Sequence, residues 1–139
     1  MSDMDLHDIS KAMKKIDICM MATRHEDGRI ESRPMSNNKD VDYNGDSYFF
    51  ALETDVVQDI RNDPQVCLSY QGNHHLYICI SGKADTTQDK AAIKEHWVKD
   101  LEVWFEGGVD TPGLTLIHVK AEHLKYWNKM KQGEIHLNA

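Results

Sequence analysis

Leu6, Ile9, Met13 and Ile16 recur at steps of three, four and three, so their side chains fall on one stripe of a helix. That spacing predicts an amphipathic helix over about residues 3–15, with Ser2 or Asp3 as its N-cap. The periodicity then changes. Residues 18–23 form an unbroken apolar run of strand length, which predicts a strand buried on both faces. Together with residues 29–35 it reads as a β-hairpin turning at Glu26-Asp27-Gly28. A polar loop over residues 37–46 closes on the turn signal Asn44-Gly45-Asp46, and residues 47–52 read as an aromatic strand holding Tyr48, Phe49 and Phe50. Thr54 stands where it can cap a short helix over residues 55–62, which Asp63-Pro64 stops. Residues 66–71 and 76–86 make a second hairpin around Gly72-Asn73-His74, and Gly82 predicts a bend in its second arm. A further helix follows, capped by Thr86 or Thr87, with Ile93, Trp97 and Leu101 on one face. Trp104-Phe105-Glu106-Gly107-Gly108 breaks it into a loop that ends at Pro112, and the last strand covers residues 114–120 with 124–127 as its extension.

Six strands in mostly sequential order predict antiparallel pairing, with three helices packed outside. Sheets of this size manage their edges by closing, so a small, partly open barrel fits the pattern best. A sheet with helices on one face is the alternative. The 139 residues suit one domain spanning the whole chain. Sixteen Lys and Arg against 23 Asp and Glu leave a formal charge of −7, which argues against a nucleic-acid binder or an anionic-membrane binder. No apolar run approaches the length of a membrane span, and Met1-Ser2-Asp3-Met4-Asp5 lacks the basic-then-apolar pattern of a signal peptide. A cytoplasmic location is therefore expected. Cys19, Cys67 and Cys79 each lie in an apolar strand-like run, which predicts structural thiols.

Ser32-Arg33-Pro34-Met35 is the candidate site with the most chemistry. Pro34 cannot donate to a sheet ladder, so pairing ends or bulges there, and Arg33 beside it carries a planar fork suited to phosphate or carboxylate. Eight histidines are present, but none shows metalloprotease or zinc-finger spacing, and no metal is expected. His74 and His75 would point to opposite sides of an extended chain. Trp97 reads as core. Trp104 and Phe105, next to flexible glycines, suit a flat ring or a partner subunit as well as they suit a plug for the barrel end. Arg33 at a strand end, the Phe49-Phe50-Ala51 strand, the Thr54-capped helix and the Trp104 loop together suit a planar aromatic ligand bearing a phosphate.

Read in order, several pieces resemble the pyridoxamine 5'-phosphate oxidase-like flavin-binding split barrels, especially their general stress protein 26 branch. They are Ala22-Thr23 before Asp27-Gly28, Ser32-Arg33-Pro34-Met35, Tyr48-Phe49-Phe50, Ile60-Arg61-Asn62-Asp63-Pro64-Gln65-Val66, Ile80-Ser81-Gly82-Lys83-Ala84, Trp104-Phe105-Glu106-Gly107-Gly108 and Tyr126-Trp127. The resemblance implies a mainly β fold: a six-stranded antiparallel split barrel with flanking helices, forming a homodimer with two flavin sites at the subunit interface. Family members usually bind FMN. Carried over, Arg33, Pro34 and Met35 line the flavin ring and ribityl chain, and Phe50 and Ala51 supply backbone contacts. The turn holding Thr54, Val56 and Val57 faces the phosphate, and Trp104 approaches from the partner subunit. One departure concerns the phosphate. The family commonly has Ser-x-Lys entering the short helix, whereas this chain has Thr54-Asp55-Val56, leaving Arg33, Arg61 or Lys39 to compensate. The implied function is that of a flavin-dependent oxidoreductase of unstated substrate. The alternatives are a non-catalytic flavin-binding or stress-associated module, or a structural dimer that has lost its flavin.

Overall fold

The computed structural model describes residues 3–137. Its first helix, α1 (Leu6–Met13), opens on a capping box: the Asp5 carboxylate accepts from the Asp8 amide and the Asp8 carboxylate accepts from the Asp5 amide. The cap is thus Asp5 and not Asp3, while Ser2 lies outside the described residues. Ile9, Met13 and Ile16 are buried, as their spacing requires.

Seven strands follow, one more than expected: β1 (Ile18–Arg24), β2 (Ile30–Ser36), β3 (Asp46–Ala51), β4 (Gln65–Gln71), β5 (Leu76–Thr87), β6 (Thr115–Asn128) and β7 (Lys131–His136). All described pairings are antiparallel, in the order β2-β1-β4-β5-β6-β3, and β7 joins the second half of β6. The added strand escapes pattern reading because Ile135 is its only large apolar residue. It is held by a close approach instead. Gly133 lies opposite Tyr126, and a Cβ there would fall 2.3 Å from the tyrosine ring. The bend expected at Gly82 is a register shift between Ser81 and Gly82, where a Cβ would come within 2.3 Å of the Lys120 carbonyl oxygen.

The barrel does not close. β2 and β3 end the hydrogen-bonded path, and no ladder joins them among the described residues. Most of the core fills the inside of the sheet under α1 and α2 (Asp55–Asn62), with Met21, Leu68, Ile80 and Leu124 fully buried. A second cluster of Phe50, Ile93, Leu101, Leu114 and Leu116 lies on the other side of β3, packed against Trp97. Trp97 and Leu101 therefore share a cluster with Ile93, as predicted, but not on one helix. The helix α3 (Lys90–His96) stops before Trp97, whose backbone is extended, and a 3-10 turn (Lys99–Val103) carries Leu101. Thr86 and Thr87 belong to β5, and Asp89 caps α3 by accepting from the Ala92 amide.

Two further expectations change. β1 is not buried on both faces: Ile18 and Met20 are 40% and 38% exposed, because no helix covers the outer side of that sheet. His74 and His75 are not extended either. Both take left-handed backbone, with φ of 57° and 65°, to close the second hairpin. No helix among the described residues is long and apolar enough to cross a membrane.

Candidate functional site

The seam between β2 and β3 gathers most of the aromatic and apolar residues singled out in the sequence. Pro34 and Met35 on β2, Phe50 on β3, and Leu101, Trp104 and Phe105 on the following segment line one hollow of about 60 Å³. Phe50, Leu101 and Trp104 are shared with a neighbouring hollow of about 260 Å³, walled further by Ser36, Asn37 and His96. Tyr48 and His96 lead on to a third, about 290 Å³, under Met13 and Val41. Single hollows fall below or near the small end of the roughly 300–1,000 Å³ usual for small-molecule sites. Joined along β3, they form a groove of the right scale.

The groove wall carries a stack that pattern reading did not find. The Tyr48 ring lies between two imidazoles, 3.6 Å from His96 and 4.7 Å from His118, with planes inclined by 11° and 8°. His118 is in turn fixed by Asp46, 2.9 Å from its Nε2. Burial, with Asp46, Glu95 and Asp85 nearby, pushes the Tyr48 hydroxyl above its ordinary range. The sequence signal was the alternation of Tyr48 with Phe49 and Phe50, which does put Tyr48 on the groove side, but its partners come from distant elements. Trp104 was expected from a partner subunit. Within its own chain it lines the hollow beside Phe50, and its amide closes a turn onto the Leu101 carbonyl at 2.9 Å. It is 61% exposed.

Arg33 does not join this groove. Neighbouring strand residues face opposite sides, and Arg33 lies on the inward face with Glu31, over β1. Its Nη1 donates to Thr23 Oγ1 at 2.7 Å, and its Nη2 stands 3.4 Å from Glu31 and 3.6 Å from Asp59 of α2. Asp59 is buried. It accepts from Thr23 Oγ1 at 2.8 Å and meets His25 Nδ1 at 2.8 Å, while His25 Nε2 lies 3.3 Å from Glu31 without hydrogen-bond geometry. Burial alone would lower the His25 pKa, but Glu31 and Asp59 more than offset it and hold it above the usual histidine value. The His25 contact in turn holds Glu31 below the usual carboxylate value. The arrangement is a self-satisfied polar cluster, so the guanidinium is turned away from any flat ring in the seam.

The turn expected to face a phosphate is equally occupied. Thr54 is the N-cap of α2 by position, yet its hydroxyl donates to the Leu52 carbonyl at 3.3 Å and caps nothing. Val56 and Val57 are turned into the core, 5% and 0% exposed. Ala51 pairs with Thr115 and packs on the main core. Of the cations able to replace the missing lysine, Arg61 is bound to Glu53 and Lys39 to Asp17, as Arg33 is to Glu31 and Asp59. The seam thus offers apolar and aromatic walls to a flat ring, while Arg33, Arg61 and Lys39 each already face a carboxylate.

Sequence reasoning also missed a thiol pair. Cys67 and Cys79 sit on adjacent strands of the outer sheet face with sulfurs 3.0 Å apart. The Cys79 contact pulls the Cys67 pKa down to about 6, against the rise that burial alone would cause. Burial pushes Cys19, in the core, up to about 12.

Comparison with known proteins places the family and the fold. The family model described as pyridoxamine 5'-phosphate oxidase like matches residues 5–137. The chain belongs to that family. Its fold is similar to that of a Clostridium acetobutylicum protein related to general stress protein 26, with a TM-score of 0.84, 19% identity, and 94% of this chain and 93% of that one covered. A general stress FMN/FAD binding protein from Xanthomonas citri matches with a TM-score of 0.75 and 26% identity over 91% of this chain and 90% of its own. A heme binding protein from Mycobacterium smegmatis matches with a TM-score of 0.73 and 8% identity, covering 98% of this chain and 60% of that one. No curated protein matches the chain.

Proposed function

We propose that this member of the family is a flavin-binding protein that holds the ring in the β2–β3 seam and grips the phosphate weakly. The supporting observation is the run of adjoining hollows along the seam, one lined by Pro34, Met35, Phe50 and Trp104 and the next sharing Phe50 and Trp104 with it. Flat rings gain from aromatic and apolar walls at roughly 0.5–1.5 kcal/mol per aromatic contact beyond area burial. A phosphate loses where each nearby cation is already paired, since the carboxylate must first be displaced. FMN is the expected ligand by family, but riboflavin should bind about as well as FMN. The match to an FMN/FAD binding stress protein supports the flavin class.

When bound, the flavin would supply the hydride or electron chemistry of an oxidoreductase. The chain's own part is to orient the ring, exclude water with Phe50 and Trp104, and bias the ring through Tyr48. A homodimer in the cytoplasm completes the reading: the exposed strip of Ile18, Met20 and Tyr77 on the uncovered sheet face is a surface a second copy would bury. Titration of the purified protein with riboflavin and with FMN, followed by flavin fluorescence, tests it. Saturable quenching with similar affinities is expected. Quenching by neither ligand overturns the flavin reading, and FMN binding far tighter than riboflavin overturns the weak-phosphate part.

A further inference from the structure

The β6–β7 hairpin, on the outer face and away from the seam, brings three metal-ligating side chains into one small volume. His123 on β6 lies directly opposite His136 on β7, and Glu134, two residues along β7, shares their face. From the structure we infer that His123, Glu134 and His136 form a surface site for a divalent transition metal ion of the zinc class.

The distances carry this reading. Glu134 Oε2 stands 3.3 Å from His123 Nε2 and 3.9 Å from His136 Nε2, and the three ligand atoms all lie within 4.8 Å of one another. Donors bound to one tetrahedral zinc at about 2.0–2.1 Å are about 3.4 Å apart. His123 and Glu134 already meet that spacing. A small turn of the His136 side chain, which is 70% exposed, supplies the remainder. The two imidazoles do not stack face to face: their centroids are 4.9 Å apart and their planes are tilted by 49°, with a ligating nitrogen of each within 4.8 Å of the other's.

The donor set suits the ion. Two imidazoles and one carboxylate favour zinc, nickel, copper or ferrous ions over calcium or magnesium, which take oxygen ligands. Three protein ligands leave coordination positions open to water. Lys125 is the opposing charge, directly across from Glu134, but its Nζ is drawn over the Trp127 ring at 5.3 Å. The backbone beneath is fixed by the seating of Gly133 on Tyr126, whose hydroxyl accepts the Met4 amide at 2.9 Å. None of these residues belongs to the proposed flavin groove, so the two readings stand or fall separately.

Zinc competition against a chromophoric chelator, with cobalt absorption as a second readout, tests the site on the full chain. One equivalent should bind at micromolar concentration, and cobalt should give visible ligand-field bands. Glu134→Gln and His136→Ala should each weaken binding at least about tenfold. The paired variant His74→Ala/His75→Ala, which removes two histidines elsewhere, should leave binding unchanged. Wild-type protein that takes up no metal at roughly 0.1 mM, or a Glu134→Gln/His136→Ala variant that still binds as wild type, overturns the site. In either case the three residues are only an ion-paired surface cluster.

Discussion

The two ends of β2 differ in what their side chains have left to offer. Toward its start, Glu31 and Arg33 point inward and join Thr23, His25 and Asp59 in a cluster where nearly every polar atom meets a partner. Toward its end, Pro34 and Met35 border an open groove with Phe50 and Trp104. One strand thus passes from a region that has used its charges to stabilise the fold to one with apolar surface still available to a ligand. Burying Asp59 costs several kcal/mol of desolvation, which only a full set of partners offsets. A cation committed in this way is not free to bind phosphate. The pairing expected to stop or bulge at Pro34 instead runs on unbroken to Ser36, so the arginine beside a mid-strand proline serves the core while its neighbours serve the site.

The largest expected effect comes from breaking the occupied end. Asp59→Ala leaves Arg33 and His25 without their buried counter-charge and should destabilise the fold by about 3–5 kcal/mol in urea denaturation. Trp104→Ala at the open end should change stability by less than about 0.5 kcal/mol. It should still weaken riboflavin binding by about tenfold, or about 1.4 kcal/mol. Equal stability losses in the two variants would erase the contrast.

A second test uses pH. His25 has a raised folded pKa, so its contribution to stability is fully present below its ordinary value of 6.5 and is lost as pH rises through the folded value. Glu31 has a lowered folded pKa, so its contribution is present above 4.5 and is lost as pH falls through the folded value. The cluster should therefore contribute most between these two limits. Urea midpoints measured through this range and well above pH 6.5 should show a fall on the alkaline side that His25→Gln abolishes.

The smallest effect concerns Asp55, in the first turn of α2. Asp55→Asn removes a carboxylate that competes with phosphate for the helix N-terminus and should improve FMN binding by about 0.3–1 kcal/mol, with riboflavin unchanged. Paired fluorescence titrations of the variant measure the difference. Val56→Lys is a poorer probe of the same question, because Val56 is buried and a lysine there must first escape the core.

Much of this was legible along the chain. Periodicity located α1, a cap and a proline stop located α2, and apolar runs between turn residues located both hairpins and β6. Gly82 was readable as a bend since only glycine tolerates the approach of the Lys120 carbonyl. β7 was not, because a polar edge strand held by one glycine under a tyrosine has no apolar rhythm to detect. The end of α3 before Trp97 was hidden for a related reason: a helix and a 3-10 turn can present Ile93, Trp97 and Leu101 to the same cluster.

The candidate site divides the same way. Residue identity made Pro34, Phe50 and Trp104 candidates, and the fold gathered them. Residue identity also made Arg33 a candidate, and the fold sets it against Glu31 and Asp59. By itself the sequence determined most of the helices and six of the seven strands, that the sheet is antiparallel, and which aromatic residues are available, since these follow from local spacing and propensity. Only the tertiary structure decided which charges neutralise one another, which thiols and histidines meet, and where the sheet stays open. Those depend on residues distant in the chain, whose distances no local pattern encodes.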